Sequence, residues 1–361
     1  MTLLDMSGAL IQLVAKGAQD VFFTSGEGTS LFSSKYSRHT NFAQAPRFIR
    51  EFTLADDSCV IPVHGDLLTG LWFEGNELVD AFQGATIDLY IGGQKIDSQP
   101  FDFVSDVYQN YLADTYTKSQ EINNKCSVTN TNFLPLPFFF NNKNSYIPIV
   151  ALQYHQVEVR VNFVETATPV SAKLYGHYAF LDAPERKKFT SNKMDFIITQ
   201  TQSIKENMTQ GYNDIDISNF NHPVKSLFFG IPTLSDNVAS DRFTFDTADI
   251  LLNGTHLLEG MSPTYFHSVQ NYFNSEFGIS AFHEEYNTPF YTRYYAYHFC
   301  LNASEYKSTG TCNFSRLDNA NLQLRNVVLG TSRSGEKIRI YVVNYNVLRI
   351  QDGMAGILFG N

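Results

Sequence analysis

At 361 residues the chain exceeds one ordinary hydrophobic core and suits two domains. It is 43% hydrophobic and 14% aromatic, with 31 Phe and 20 Tyr against a single Trp, which supplies apolar mass for buried cores and favours strands. A net charge of −10 argues against a surface made to coat nucleic acid directly.

Cys59, Cys126, Cys300 and Cys312 form no CxxC and no ligand-like pairing with His, as expected of reduced thiols in a cytosolic setting. No apolar run approaches the ~20 residues that span a bilayer. The start of the chain carries no basic, greasy and small-residue succession, so secretion is not expected.

Residues 1–24 contain Leu10, Ile11, Leu13 and Val14, a short amphipathic patch. It reads either as an arm packed on its own domain or as one docked on a neighbour or an underlying layer. Gly26-Glu27-Gly28 ends the segment. From Arg47 onward short strands dominate: RFIREFTL, CVIPV and LLTGLWF, separated by Asp56-Asp57-Ser58 and His64-Gly65-Asp66.

Asp88–Leu112 then matches Asp249–Phe273 without a gap, 161 positions on. Asp88 falls on Asp249, Gly93 on Gly254, and Gln109-Asn110-Tyr111 on Gln270-Asn271-Tyr272. In both copies apolar residues alternate into a turn, Gly92-Gly93 or Asn253-Gly254, dipeptides that tolerate positive φ in a tight hairpin. The period then lengthens to about 3.6. Val104, Tyr108, Tyr111 and Leu112 share a helical face, as do Tyr265, Val269, Tyr272 and Phe273. Ser262-Pro263 supplies an N-cap and a first helical residue. A hairpin plus short helix, used twice, points to two similar domains in tandem.

Leu134-Pro135-Leu136-Pro137 leads into Phe138-Phe139-Phe140. Val157, Val159, Val161 and Phe163 alternate with Glu158, Arg160 and Asn162, the pattern of a strand with one face in the core. Lys173–Leu181 closes the first unit. Asp182–Lys193, with Pro184 and Arg186-Lys187-Lys188, reads as an inter-domain connector, its basic run solvated or touching an anion or partner. The second unit repeats the plan in VKSLFFGI, TADILL, YTRYYAYHFCL, ANLQL and KIRIYVVNYNVLRI, with Ile338, Ile340 and Val342 inward. The expected fold class is all-β: two tandem eight-stranded jelly-roll β-sandwiches with short inserted helices and an N-terminal arm. The expected division is 1–26 arm, 27–185 first roll, 186–193 linker and 194–361 second roll.

The sequence carries no recognised catalytic or metal-binding signature. There is no GxSxG elbow, and no Cys lies in a recognised signature. The histidines (His39, His64, His155, His177, His222, His256, His267, His283, His298) include no HxH and no HExxH, and suit hydrogen bonding at strand ends. Glu284-Glu285 is an adjacent pair whose members face opposite ways in an extended strand. Gly26-Glu27-Gly28 lacks the further glycines and lysine of a phosphate loop. Sequons at Asn207, Asn253, Asn302 and Asn313 count for little without a secretion signal. No catalytic, cofactor-binding or metal residue is assigned, and no cofactor is expected.

Several stretches resemble the double jelly-roll major capsid protein of nucleocytoplasmic large DNA viruses, the family that includes iridoviruses and phycodnaviruses. Gly8–Asp20 is similar to that family's opening, and Tyr36-Ser37-Arg38-His39-Thr40-Asn41-Phe42 to its RHTNF element. Ala151–Val159 looks like its late first-domain strand. Gly310–Ala320 and Tyr345–Ile350 are the most specific matches.

The resemblance implies a structural, non-enzymatic protein of the virion. Three chains would form a pseudo-hexagonal capsomer that tiles an icosahedral shell assembled in the host cytoplasm. Implied partners are the chain itself as homotrimer, neighbouring capsomers, minor capsid and penton proteins, and an internal membrane layer approached by the N-terminal arm. Direct nucleic-acid contact is not expected. The chain is short for the family, which implies reduced outer loops. A tandem β-sandwich carbohydrate-binding protein is the alternative, and an enzyme on the same frame rests on fold analogy alone.

Overall fold

The computed structural model describes residues 39–115, 118, 131–142, 144–164, 171–232, 243–275, 294–330 and 337–360. The arm, Cys126, His283 and Glu284-Glu285 lie outside the described residues. Contacts divide the chain into Met1–Thr40 and a compact body, Asn41–Asn361.

Among the described residues eight strands build the first half of that body: β1 (Phe42–Phe52), β2 (Ser58–Val60), β3 (Leu67–Asn76), β4 (Thr86–Ile91), β5 (Gln94–Pro100), β6 (Thr131–Pro135), β7 (Val157–Asn162) and β8 (Ala172–Leu181). They form two antiparallel sheets, ordered β1-β8-β3-β6 and β2-β7-β4-β5. The second half contributes β9 (Met194–Asn207), β10 (Gly211–Asp216), β11 (Pro223–Gly230), β12 (Phe243–Thr244), β13 (Thr247–Leu252), β14 (Thr255–Met261), β15 (Tyr294–His298), β16 (Cys312–Asn313), β17 (Ala320–Leu329), β18 (Lys337–Gln351) and β19 (Met354–Ile357). Here β9 pairs with β18, β18 with β11 and β11 with β15, while the facing sheet runs β10-β17-β13-β14.

Setting aside the short β12, β16 and β19, the two halves have one topology. The first strand pairs with the last, the last with the third, and the third with the sixth; the second, seventh, fourth and fifth make the other sheet. That is a jelly roll, built twice. Corresponding strands even keep their local pattern. Leu71-Trp72-Phe73 of β3 and Leu227-Phe228-Phe229 of β11 each bury the outer pair of the triplet in their own sandwich and turn the middle ring the other way.

The hairpin repeat follows the residues that carry it. Gly92 and Gly93 have φ of 58° and 80°, and Asn253 and Gly254 have 49° and 76°, the left-handed values a two-residue hairpin turn needs. The aligned acids Asp88 and Asp249 are both withdrawn from water and brace the hairpins alike. Asp88 accepts from Ser98 Oγ (2.6 Å), Asn162 Nδ2 (3.1 Å) and Lys95 Nζ (2.8 Å). Asp249 accepts from Gly260 N (2.5 Å) and Arg325 Nη2 (2.6 Å). Asn162 and Arg325 hold the same station, opposite Thr86 and Thr247 at the start of each hairpin.

Aromatic rings fill both sandwiches. Phe82 meets Phe73 at 5.1 Å and Phe163 at 5.2 Å in the first. In the second, Tyr295 lies 4.8 Å from Phe245 and 5.6 Å from Phe229. Each fully buried ring contributes about 1.5–3 kcal/mol by transfer from water, and edge-on contacts add to it.

Two expectations from the sequence change. The helices after the hairpins, Phe103–Leu112 and Tyr265–Val269, are wound with π geometry, and only Gln270–Asn274 resumes the α period. A wider turn of i→i+5 bonds keeps Phe103, Val104, Val107 and Tyr111 on one buried side. The stretch read as a connector contains a helix, Ala183–Ser191, with the Asp182 side chain capping Glu185 N at 3.0 Å. Its Arg186 is held by both oxygens of Asp66, at 2.8 and 3.0 Å, rather than being free in solvent. Tyr146 wedges edge-on between Phe189 of this helix and Phe196 of β9.

Candidate assembly interface

The chemistry of the fold concentrates where the two sandwiches meet. β5 ends at Pro100, and the helix Phe103–Leu112 follows with its apolar side turned away from solvent. That side is covered by the outer face of the sheet β9-β18-β11-β15. Phe103 packs on Tyr341 (ring centroids 5.6 Å) and Tyr111 on Phe228 (5.7 Å). The Tyr111 hydroxyl donates to the carbonyl of Tyr294.

Alternation in β18 therefore fails as a guide to burial. Ile338, Ile340 and Val342 point into the second core as expected, yet Tyr341 and Val343 between them are buried too. They belong to the apolar cluster of the first sandwich, with Phe228, Tyr294 and Ala296. A strand buried on both faces reads as a nearly continuous apolar run, and Tyr341-Val342-Val343 is that signal.

Polar groups fix the register of the seam. The Asp102 carboxylate takes hydrogen bonds from Tyr341 Oη (2.5 Å), Tyr294 Oη (3.3 Å) and the Arg339 guanidinium. Burial pulls the pKa of Arg339 down, but Asp102 and the neighbouring tyrosines push it up further, so the guanidinium stays charged. Asp97 accepts from Thr201 N (2.7 Å), Gln99 Nε2 (2.7 Å) and Ser98 N (2.9 Å). Burial nevertheless pushes its carboxyl up to about 7. Gln200 Nε2 donates to Ile96 O (2.5 Å), and Ile357 N of β19 to Gln94 Oε1 (3.1 Å).

The same helix of the second sandwich is bare at its end. Tyr272 and Phe273, which align with Tyr111 and Leu112, are 80% and 72% exposed and touch one another edge-on at 5.0 Å. Phe266, Gln270 and Asn271 face inward instead. The outer face of the sheet β1-β8-β3-β6 is likewise aromatic and open. Trp72 stacks on Tyr175 (5.7 Å) and Phe48 meets Tyr175 edge-on (5.6 Å), with Phe48 51% and Phe133 38% exposed.

The residues weighed for other chemistry serve the frame. Among the described residues no group of three His, Cys, Asp or Glu side chains could hold a metal ion. His298 is buried beside Ser226 Oγ (2.9 Å), and burial lowers its pKa to about 3. Cys59 and Cys300 are buried and Cys312 half-buried; all three are free thiols whose pKa burial raises. Three sequon amides are occupied by the fold. Asn253 Oδ1 accepts from Asp318 N (2.9 Å), Asn302 Oδ1 from Ser304 N (3.0 Å) and Asn313 Oδ1 from Ser315 N (3.1 Å).

Known proteins match the chain along its length. A family model described as large eukaryotic DNA virus major capsid protein covers residues 185–356, and one described as major capsid protein N-terminus covers 81–191. The major capsid protein of Pyramimonas orientalis virus is 29% identical over 414 aligned positions, covering 99% of this chain and all of the relative. That of Paramecium bursaria Chlorella virus 1 is 28% identical over 457 positions, with 99% and 100% covered. Both alignments are longer than this chain, so each relative carries residues it lacks. A quasi-atomic structure of the capsid of the same Chlorella virus superimposes with a TM-score of 0.78 at 25% identity, covering 92% of this chain and 100% of that one. The alternative of a tandem carbohydrate-binding protein finds no support among these matches. With two jelly rolls of one topology locked along a buried seam, this chain belongs to the major capsid protein family of large eukaryotic DNA viruses.

Proposed function

We propose that the chain is a structural building block of a virion, without catalytic activity, and that three copies associate into a pseudo-hexagonal capsomer of an icosahedral shell. The observation that carries this reading is the strand order, first-last-third-sixth and second-seventh-fourth-fifth, repeated in both halves of one chain. Three chains with two like sandwiches each offer six similar footprints, so three identical subunits can occupy a position with six neighbours. A rigid seam is what such a block requires, because a hinge between the rolls would blur the hexagon.

Neighbouring capsomers, minor capsid and penton proteins are the expected contacts, with the N-terminal arm directed to an inner membrane layer. The net charge of −10 suits a soluble pool before assembly and leaves neutralisation of the genome to other components. The residues that the relatives carry and this chain lacks fit reduced outer loops. Light scattering on the size-fractionated protein should return three times the chain mass, and electron images should show three-fold particles with hexagonal outline. A protein that stays monomeric at every concentration and salt tested would end this reading.

A further inference from the structure

The intramolecular seam is a template for a contact the single chain leaves unmade. In the sheet β9-β18-β11-β15, Phe228 stands opposite Tyr341, and two residues further on Gly230 stands opposite Tyr294. In the sheet β1-β8-β3-β6, Trp72 stands opposite Tyr175, and two residues further on Glu74 stands opposite Phe133. Pairing therefore sets Trp72, Tyr175 and Phe133 at the stations of Phe228, Tyr341 and Tyr294. The second set is buried under the helix of the first sandwich; in the first set Phe133 is 38% exposed and Trp72 and Tyr175 are half-buried. The helix side shows the complementary vacancy. Tyr111 is 3% exposed in its seat, whereas Tyr272, at the aligned position, is 80% exposed.

We propose that Tyr272 and Phe273 of one copy seat on the Trp72–Tyr175–Phe133 face of a second copy of this chain, repeating between subunits the contact that Tyr111 makes within one. The inference rests on the self-associating reading above and specifies its contact. The occupant is a second copy because the chain itself carries the receiving face, with the same aromatic stations in the same sheet of the same topology. Each chain then offers one bare helix end and one bare sheet face on different halves, a head-to-tail contact that grows until the ring closes.

The two seams differ in charge. Asp102 aligns with Pro263, and the station of Arg339, opposite Gly230, is held in the first sandwich by Lys173, opposite Glu74. The contact between copies therefore lacks the buried carboxylate and guanidinium, and is an aromatic contact that forms and separates without unfolding either sandwich.

The test uses the full chain and its single tryptophan, Trp72, which lies in the proposed seat. Dissociation is followed by light scattering over a dilution series and by the emission of Trp72, for the wild type, for Tyr272→Ser with Phe273→Ser, and for Phe133→Ser. The wild type should be trimeric, with emission shifting to the blue on association. Both variants should weaken association by roughly a hundred-fold or more, as loss of aromatic anchors does, with far-UV dichroism unchanged, and with melting unchanged at dilutions where the wild type is dissociated too, because the replaced rings are exposed. A trimeric wild type whose variants associate within threefold of it overturns the seat alone and assigns the bare rings to some other protein's surface. A monomeric wild type overturns the trimer and the seat together.

Discussion

Asp102 and Arg339, 237 positions apart in the chain, form an ion pair across the seam between the two sandwiches, with both side chains largely withdrawn from water. Two tyrosine hydroxyls, from Tyr294 and Tyr341, complete the shell of the carboxylate. One acidic side chain at the start of a helix thus gathers three donors from the other half of the molecule. The pair sits in an apolar surround, where its worth is in register more than in net energy.

Asp102→Ala should therefore be costly. It leaves a buried guanidinium and two hydroxyls without their acceptor, and the expected loss is about 3 kcal/mol in urea unfolding. Asp102→Asn keeps an acceptor for the tyrosines and should lose less than the alanine variant. Equal losses would mean that the charge, rather than the accepting oxygen, holds the seam.

Asp97 gives the seam a pH dependence. Its carboxyl is raised from 3.8 to about 7 by burial, against the lowering pull of its hydrogen bonds. The folded protein then holds a proton that the unfolded chain has released. The stability contributed is full below about pH 4 and is lost as pH rises through about 7. Asp97→Asn lacks this titration. The stability of the wild type relative to that variant should fall between pH 4 and pH 7 and level off above, measured by chemical denaturation at each pH.

The two hairpin turns should respond unequally to alanine. Gly92 and Gly254 both have positive φ, so alanine strains each. A Cβ at Gly92 would also lie 2.3 Å from His155 Nδ1, while at Gly254 it meets open space. Gly254→Ala should cost about 1 kcal/mol and Gly92→Ala about 2–3 kcal/mol, in thermal unfolding of the two variants.

Asp88 tests the repeated brace. Asp88→Ala removes the acceptor for Ser98 and Asn162 and the partner of Lys95. A loss of about 2 kcal/mol is expected from deserted hydrogen bonds to a buried charge. Asp88→Asn should recover part of it, since an amide oxygen still serves one donor.

Much of the fold was legible because hairpins and alternating strands are local. Gly92-Gly93 and Asn253-Gly254 specify their turns by φ alone, and Val157, Val159 and Val161 declare which side of β7 is buried. The winding of the helices was not legible. The spacing of Val104, Tyr108 and Tyr111 suits a period of 3.6, and nothing in it asks for the wider i→i+5 turn that the structure adopts. The seam was legible only in part. Tyr341-Val342-Val343 announces a strand covered on both faces, but no pattern names the helix that covers it.

The sequence alone determined the doubling: two hairpin-helix units in register, two sets of alternating strands, and the motifs that resemble one capsid family. Tertiary structure decided which of two like surfaces is filled. Tyr111 and Tyr272 occupy the same place in the repeat, yet one is buried and the other bare, because burial depends on what lies opposite in space. That neighbour is set by how the two sandwiches dock, through contacts such as Asp102 with Arg339, which local patterns of residues do not encode.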